Sequence, residues 1–177
     1  MEIPSQVLGV LGKEEKHMYC PNDPVGKSVE LTAKLFAIMA DEVLQACGEE
    51  EGTKIVRKAV RRFADMRAAG IREKILSAGK EVTFETVEEF SDYPPNCAWD
   101  CDTEITENTL REVTRVCPFS TGFRDIGLEK AGSLYCQEID IALNEAFFGP
   151  IRFERPRLFT DGPDAPCEMI VTKNSSN

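Results

Sequence analysis

Cysteine, not histidine, supplies the side chains in this sequence whose types and spacing could do chemistry. Cys117 is followed at once by Pro118, and proline is favoured in the first turn of a helix, so the sulfur is expected at a helix N-terminus. Such a position lowers a thiol pKa and favours a nucleophilic or ligating thiolate; the alternative is a buried cysteine that ends a strand. Further on, Cys136, Asp140, Leu143 and Phe147 fall at i, i+4, i+7 and i+11, which puts a thiol and a carboxylate one turn apart on one helical face. The apolar neighbours make that face partly buried, and a carboxylate there is either paired or held for acid/base work. Cys167 begins a strand pattern in which Met169 and Val171 share its side; plain core packing is its other reading.

Three cysteines from three elements could converge on zinc or an iron–sulfur cluster, but their separations match none of the short-spaced metal signatures. No cofactor is therefore expected, with zinc or iron as the alternative. A second metal arrangement would join His17 and Cys20 to Cys97 and Cys101. In an extended strand the last two lie about 13 Å apart, so they share one zinc only across a bend. His17 is the sole histidine, which leaves Cys-His and Ser-His-Asp catalysis hard to build. Phosphate-loop and dinucleotide glycine patterns are missing.

Several elements must position these groups. Residues 1–27 are dense in proline and glycine and read as an irregular arm. From Ser28, as N-cap, Leu31, Leu35, Ile38, Met39, Val43 and Leu44 mark the apolar stripe of a first core helix that Gly48 closes. A second helix opens on Glu49, Glu50 and Glu51 and runs to about Ala78; its basic residues read as a solvated face with i,i+4 pairs such as Glu50–Lys54. A short third helix follows Thr83, with Val82 and Val87 as a hydrophobic staple. Alternation from Trp99 to Ile105, a turn at Glu107-Asn108 and a strand ending near Cys117 predict a hairpin, although Leu110, Val113 and Val116 also fit a helical spacing. A short helix from Pro118, a longer one over about 129–147, and a hairpin of 151–158 with 167–171 complete the order. The predicted architecture is α+β: N-terminal helices packed against a small antiparallel sheet made of hairpins, with two further helices between them, in a single domain over 28–172, followed by a frayed tail at 173–177.

Composition narrows the function. The chain has 177 residues, 42% of them hydrophobic and 29% charged, as a globular domain does. A net charge of −10 argues against nucleic acid, whose phosphates call for clustered Lys and Arg. No apolar run approaches the ~20 residues a membrane helix needs. Seven cysteines, an odd number without the dense spacing of a disulfide scaffold, are expected as reduced thiols in the cytoplasm. The expected partner is a small molecule, with no nucleic acid and no membrane; a homodimer is admissible, although no feature demands one.

Taken in order, Cys117-Pro118-Phe119, Gly127, Gly132, the run Tyr135-Cys136-Gln137-Glu138-Ile139-Asp140, Phe147, Ile151-Arg152-Phe153-Glu154, and Gly162 shortly before Cys167-Glu168-Met169 form a pattern that resembles the L-2-amino-thiazoline-4-carboxylic acid hydrolase family. The resemblance implies opening of a cyclic substrate, at a carbon bonded to sulfur and two nitrogens, to an N-carbamoyl-cysteine-type product. It implies Cys117 as nucleophile or thiolate stabiliser, Cys136 and Asp140 as a thiol and acid/base pair, and Cys167 and Tyr135 as walls on the substrate side. Chemistry of this kind also needs a cation for the substrate carboxylate; Arg115, Arg124 and Arg155 are the basic residues nearest to the cluster in sequence. Two readings compete with the hydrolase: a ligand-binding or sensory domain whose cysteines line a pocket for a hydrophobic or porphyrin-like molecule, as the pattern's likeness to vinyl-reductase-type domains suggests, and a structural zinc or redox protein.

Overall fold

The computed structural model describes residues 19–162 and 164–174; His17 and residues 175–177 lie outside the described residues. The first helix, α1 (Pro24–Cys47), begins ahead of Ser28 because Asp23 is its cap: Oδ1 accepts from the amides of Val25 (2.8 Å) and Gly26 (3.3 Å), and Pro24 takes the first turn. It is followed by α2 (Glu49–Ser77), α3 (Phe84–Glu89), strands β1 (Asp100–Ile105) and β2 (Thr109–Val116), α4 (Pro118–Asp125), α5 (Glu129–Phe148), β3 (Ile151–Arg157), a 3-10 turn (Phe159–Asp161) and β4 (Cys167–Lys173). The four strands form one antiparallel sheet in the order β1-β2-β4-β3, so the chain is α+β, and Leu110, Val113 and Val116 sit on a strand. No helix among the described residues is long and apolar enough to cross a membrane.

The face that α1 buries is not the stripe that its larger residues mark. Val29, Ala33, Ala37 and Ala40 are buried, while Leu31 and Met39 are 71% and 61% exposed and Leu35 and Ile38 also face outward. The reason is the tight crossing of α1 and α4. A Cβ on Gly122 would come within 2.6 Å of the Glu30 carbonyl oxygen and 2.9 Å of the Ala33 Cβ, so only small side chains fit between the two helices. On α2 the buried row is Val56, Val60, Ala64, Ala68, Ile71 and Ile75, a helical stripe that packs mainly on α5. The basic residues of α2 are not merely solvated: Lys54 pairs with Glu50 (2.8 Å), Arg57 donates to Gln137 (2.7 Å), and Arg61 bridges Glu138 and Glu145 on α5. The α3 cap forms as its sequence suggests, with Thr83 and Thr86 as a capping box and Val82 and Val87 packed on the same core cluster.

Close approach also fixes the junction of α4 and α5. A Cβ on Gly132 would lie within 3.0 Å of three ring atoms of Phe123, a side chain with no solvent exposure. Gly132→Ala is therefore expected to lower stability by about 1–3 kcal/mol through overpacking, seen as a lower urea midpoint at unchanged slope. Gly70→Ala, at a helical site with nothing within 4 Å of the added carbon, should instead raise the midpoint.

Cys20 and Cys97 form a disulfide with a Cα–Cα distance of 5.1 Å, so these two thiols are neither reduced nor zinc ligands. The turn beside it is closed by one backbone bond and one bond to a side chain: Cys20 N–H donates to the Cys97 carbonyl (2.7 Å), and Cys97 N–H to Asp23 Oδ2 (3.0 Å). Because the bridge spans a sequence separation of 77, its loss releases a long loop in the unfolded chain. A Cys20→Ser, Cys97→Ser double variant is expected to be less stable by about 2–4 kcal/mol, and a reductant should lower the midpoint of the parent protein but not that of the variant.

Candidate active site

Strand alternation divides the sheet into a charged face and a site face. Cross-strand partners build the rows Cys101–Thr114–Cys167, Thr103–Glu112–Met169 and Ile105–Leu110–Val171–Phe153. Arg155 follows Phe153 by two residues and shares this side. On the opposite face Glu168 accepts from both Arg111 and Arg157 (2.8 Å each), and Arg115 is clamped between Asp100 (2.6 Å) and Asp102 (2.5 Å). Those pairs hold the strands in register and leave the site face to the helices.

Between this face and α5 lies a cavity of about 670 Å³, closed at its sides by α3 and by the segment from Ser91 to Trp99. That segment is held at several points. Arg67 makes a two-pronged pair with Asp92 (2.6 and 2.8 Å) and lies over the Tyr93 ring at 5.1 Å; Tyr93 and Trp99 are in contact at 5.3 Å; and Cys97 is tied to Cys20. The i, i+4, i+7, i+11 face of α5 forms the helical wall, since Cys136, Asp140, Leu143 and Phe147 all line the cavity.

Cys117, Cys136, Asp140, Cys167, Tyr135 and Arg155 are brought together in this one cavity. Two arginines are placed elsewhere: Arg115 is in the outer-face ion pairs, and Arg124 donates to the carbonyls of Phe159 (2.7 Å) and Gly162 (3.1 Å) while lying over the Phe159 ring, which joins α4 to the 3-10 turn. Arg155 donates to Asp140 Oδ2 at 2.5 Å, and its Nε is buried with no hydrogen-bond partner among the described residues. A buried guanidinium N–H left open costs free energy and suits an acceptor from a ligand. Tyr135 stacks on Phe119 at 4.6 Å, with Phe36 edge-on at 5.3 Å.

Cys117 is the N-cap of α4, with Pro118 in its first turn, yet its thiol pKa is not lowered. Burial pushes it up to about 11 and outweighs the amides of Ser120 and Phe119 and the Trp99 side chain, which favour thiolate. Burial likewise drives Cys136 well above the ordinary thiol range, aided by Cys117 and Asp140, and raises Cys167. Cys101, a fourth thiol of the cavity, is pushed up to about 12, first by burial and then by Glu112 and Glu88. These sulfurs are neutral thiols near pH 7, and no group of three or more His, Cys, Asp or Glu among the described residues is placed to hold a metal ion.

Glu112 is the group that the α5 pattern did not reveal. It stands in the middle row of the site face and accepts from the Thr114 hydroxyl at 2.9 Å. Its carboxyl is pushed up to about 7, mainly by burial, with Asp140 and Glu88 adding and Thr114 and Arg155 opposing. The sequence signal was its alternation with Leu110 and Thr114, which points a carboxylate to the core side of a strand. Glu88, Asn144, Trp99 and Tyr93 join the wall as well.

Fold and site together define a helix-covered antiparallel α+β protein with a thiol-lined cavity that holds a guanidinium–carboxylate pair and a second, partly protonated carboxyl. The sequence matches the family model of L-2-amino-thiazoline-4-carboxylic acid hydrolase over residues 29–170, and the chain belongs to that family. No curated protein and no solved structure matches it.

Proposed function

We propose that the protein is a hydrolase that opens a small cyclic amidine carboxylate of the 2-amino-thiazoline-4-carboxylate type. The observation that carries this is the open, buried Nε of Arg155 in the same cavity as a carboxyl whose pKa lies near 7. Arg155 takes the substrate carboxylate, and Asp140 fixes the guanidinium from behind. Because Asp140 is engaged by Arg155, the acid/base work falls to Glu112, whose pKa near the operating pH suits a proton carrier.

In the proposed reaction, water adds to the carbon between sulfur and the two nitrogens as Glu112 removes a proton from it. The carbon–sulfur bond then breaks, and Glu112 returns that proton to the departing sulfur. The second water hydrogen ends on the ring nitrogen and the oxygen on carbon, which gives an N-carbamoyl-cysteine product with no change in oxidation state. The neutral thiols of Cys117, Cys136 and Cys167 form the soft wall beside the ring sulfur; an attack by Cys117 itself would first require a base to take its proton.

Reduced and non-reduced protein incubated with 2-amino-thiazoline-4-carboxylate in ¹⁸O-water is expected to release N-carbamoyl-cysteine carrying one ¹⁸O, detected by mass spectrometry. Absence of protein-dependent product would remove the reaction and favour the second reading, a ligand-holding domain, which the unreactive state of the cavity thiols also fits.

A further inference from the structure

The cavity is larger than the ring its family is named for. A molecule of nine non-hydrogen atoms fills less than about 270 Å³ even at the ~30 Å³ that each water occupies in the liquid, against about 670 Å³ here. Its shape says where the excess lies. The α5 wall runs from Cys136 to Phe147, a separation of eleven positions or about 16 Å of helix, and Asp140 stands about 6 Å from the first end and about 10 Å from the second at 1.5 Å per residue. A five-membered ring bearing a carboxylate spans roughly 6 Å, a few covalent bonds. Anchored at Arg155, it fills the thiol end and leaves the other end empty.

That other end is mainly apolar. Val87, Leu110, Leu143 and Phe147 line it, with Asn144 and Glu88 at its edge, and the carboxyl of Glu88 is raised by burial, which marks a poorly hydrated environment. An apolar, concave space next to an anion-binding group is what a specificity pocket for a side chain consists of.

We infer that the preferred ligand is an α-amino-acid derivative, cyclic or N-carbamoylated, whose carbon next to the carboxylate bears a bulky apolar or aromatic side chain that fills the Leu143–Phe147 end. This rests on the reading of Arg155 as the carboxylate site. The side chain branches from the carbon next to the carboxylate that Arg155 anchors, so one part of the molecule lies toward the thiols while the other lies toward Phe147.

Isothermal titration with N-carbamoyl-phenylalanine and N-carbamoyl-alanine separates the two claims. The phenylalanine compound is expected to bind at least about tenfold tighter, the gain from burying an aromatic ring, and to lose that binding in Arg155→Ala. Equal affinities that both fall in the variant would overturn the side-chain pocket and leave the carboxylate site standing. Tighter binding of the phenylalanine compound that survives the substitution would mean adsorption elsewhere and also overturn it, and no binding of either compound would sink both readings. Should Arg155→Ala not fold, the Leu110 methyl resonances of the parent protein decide: they should shift with the phenylalanine compound and stay in place with the alanine one.

Discussion

Glu112→Gln is expected to lower kcat by about 10²–10⁴-fold, the usual contribution of a positioned acid or base, with little change in substrate affinity. The carboxyl lies at about 7 because burial, then Asp140 and Glu88, disfavour its charge. As the base that starts the reaction it must be ionised, so kcat/KM of the parent protein should rise as pH passes through about 7, and the residual rate of the glutamine variant should lack that limb. A parent profile flat between pH 6 and 8 would exclude Glu112 from the reaction. Stability gives an independent readout. An acid whose folded pKa is raised holds its proton more tightly in the native state, so its contribution is present below the ordinary carboxyl pKa and is lost as pH rises through about 7. The midpoint of the parent protein should fall across that window, and that of the variant should fall less.

The element order and the sheet face of this protein were legible because strand and helix periodicities differ. Trp99, Cys101, Thr103 and Ile105 alternate, and Cys136, Asp140, Leu143 and Phe147 do not. The same α5 pattern located the cavity wall, since a carboxylate between apolar residues on one helical face requires something opposite it. Three things were not legible, each for a physical reason. The buried side of α1 depends on how closely α4 approaches at Gly122, and periodicity alone cannot choose between a stripe of leucines and a stripe of alanines. The Cys20–Cys97 bridge joins residues far apart in sequence, and spacing carries no signal for such a contact. The sequence leaves Cys117 between a helix-terminal thiolate and a buried cysteine because the helix terminus and burial act in opposite directions on a thiol, and only the depth of the site decides which prevails.

The same logic explains why proximity in sequence does not pick the proposed carboxylate clamp. Arg115 points to the outer face because it alternates with Thr114, and Arg124 is spent on two backbone carbonyls. Arg155 shares the side of Ile151 and Phe153 and lines the cavity, while the bulge between Glu154 and Arg157 turns Arg157 to the outer face. Charge pairing alone does not mark it, because most of the arginines here have an acidic partner; the open Nε does.

Arg155→Ala should therefore lower kcat/KM by about 10²–10³-fold, the range seen when one partner of a buried charged contact is removed. Most of the loss should appear in KM, because in the proposed function the guanidinium holds the substrate carboxylate in the ground state as well as in the transition state. Arg155→Lys is the sharper test. Lysine keeps the charge but presents a single ammonium in place of a planar fork, so it can face Asp140 or the substrate but cannot bridge both, and it should recover only a small part of the lost rate. Loss of the guanidinium also removes the contact over Phe153 at 5.2 Å and leaves Asp140 without its cation, so a lower midpoint is expected in both variants. A lysine variant with parental kcat/KM would show that a point charge suffices and would take the bridging role away from Arg155, and an alanine variant with parental KM would take away the carboxylate site itself.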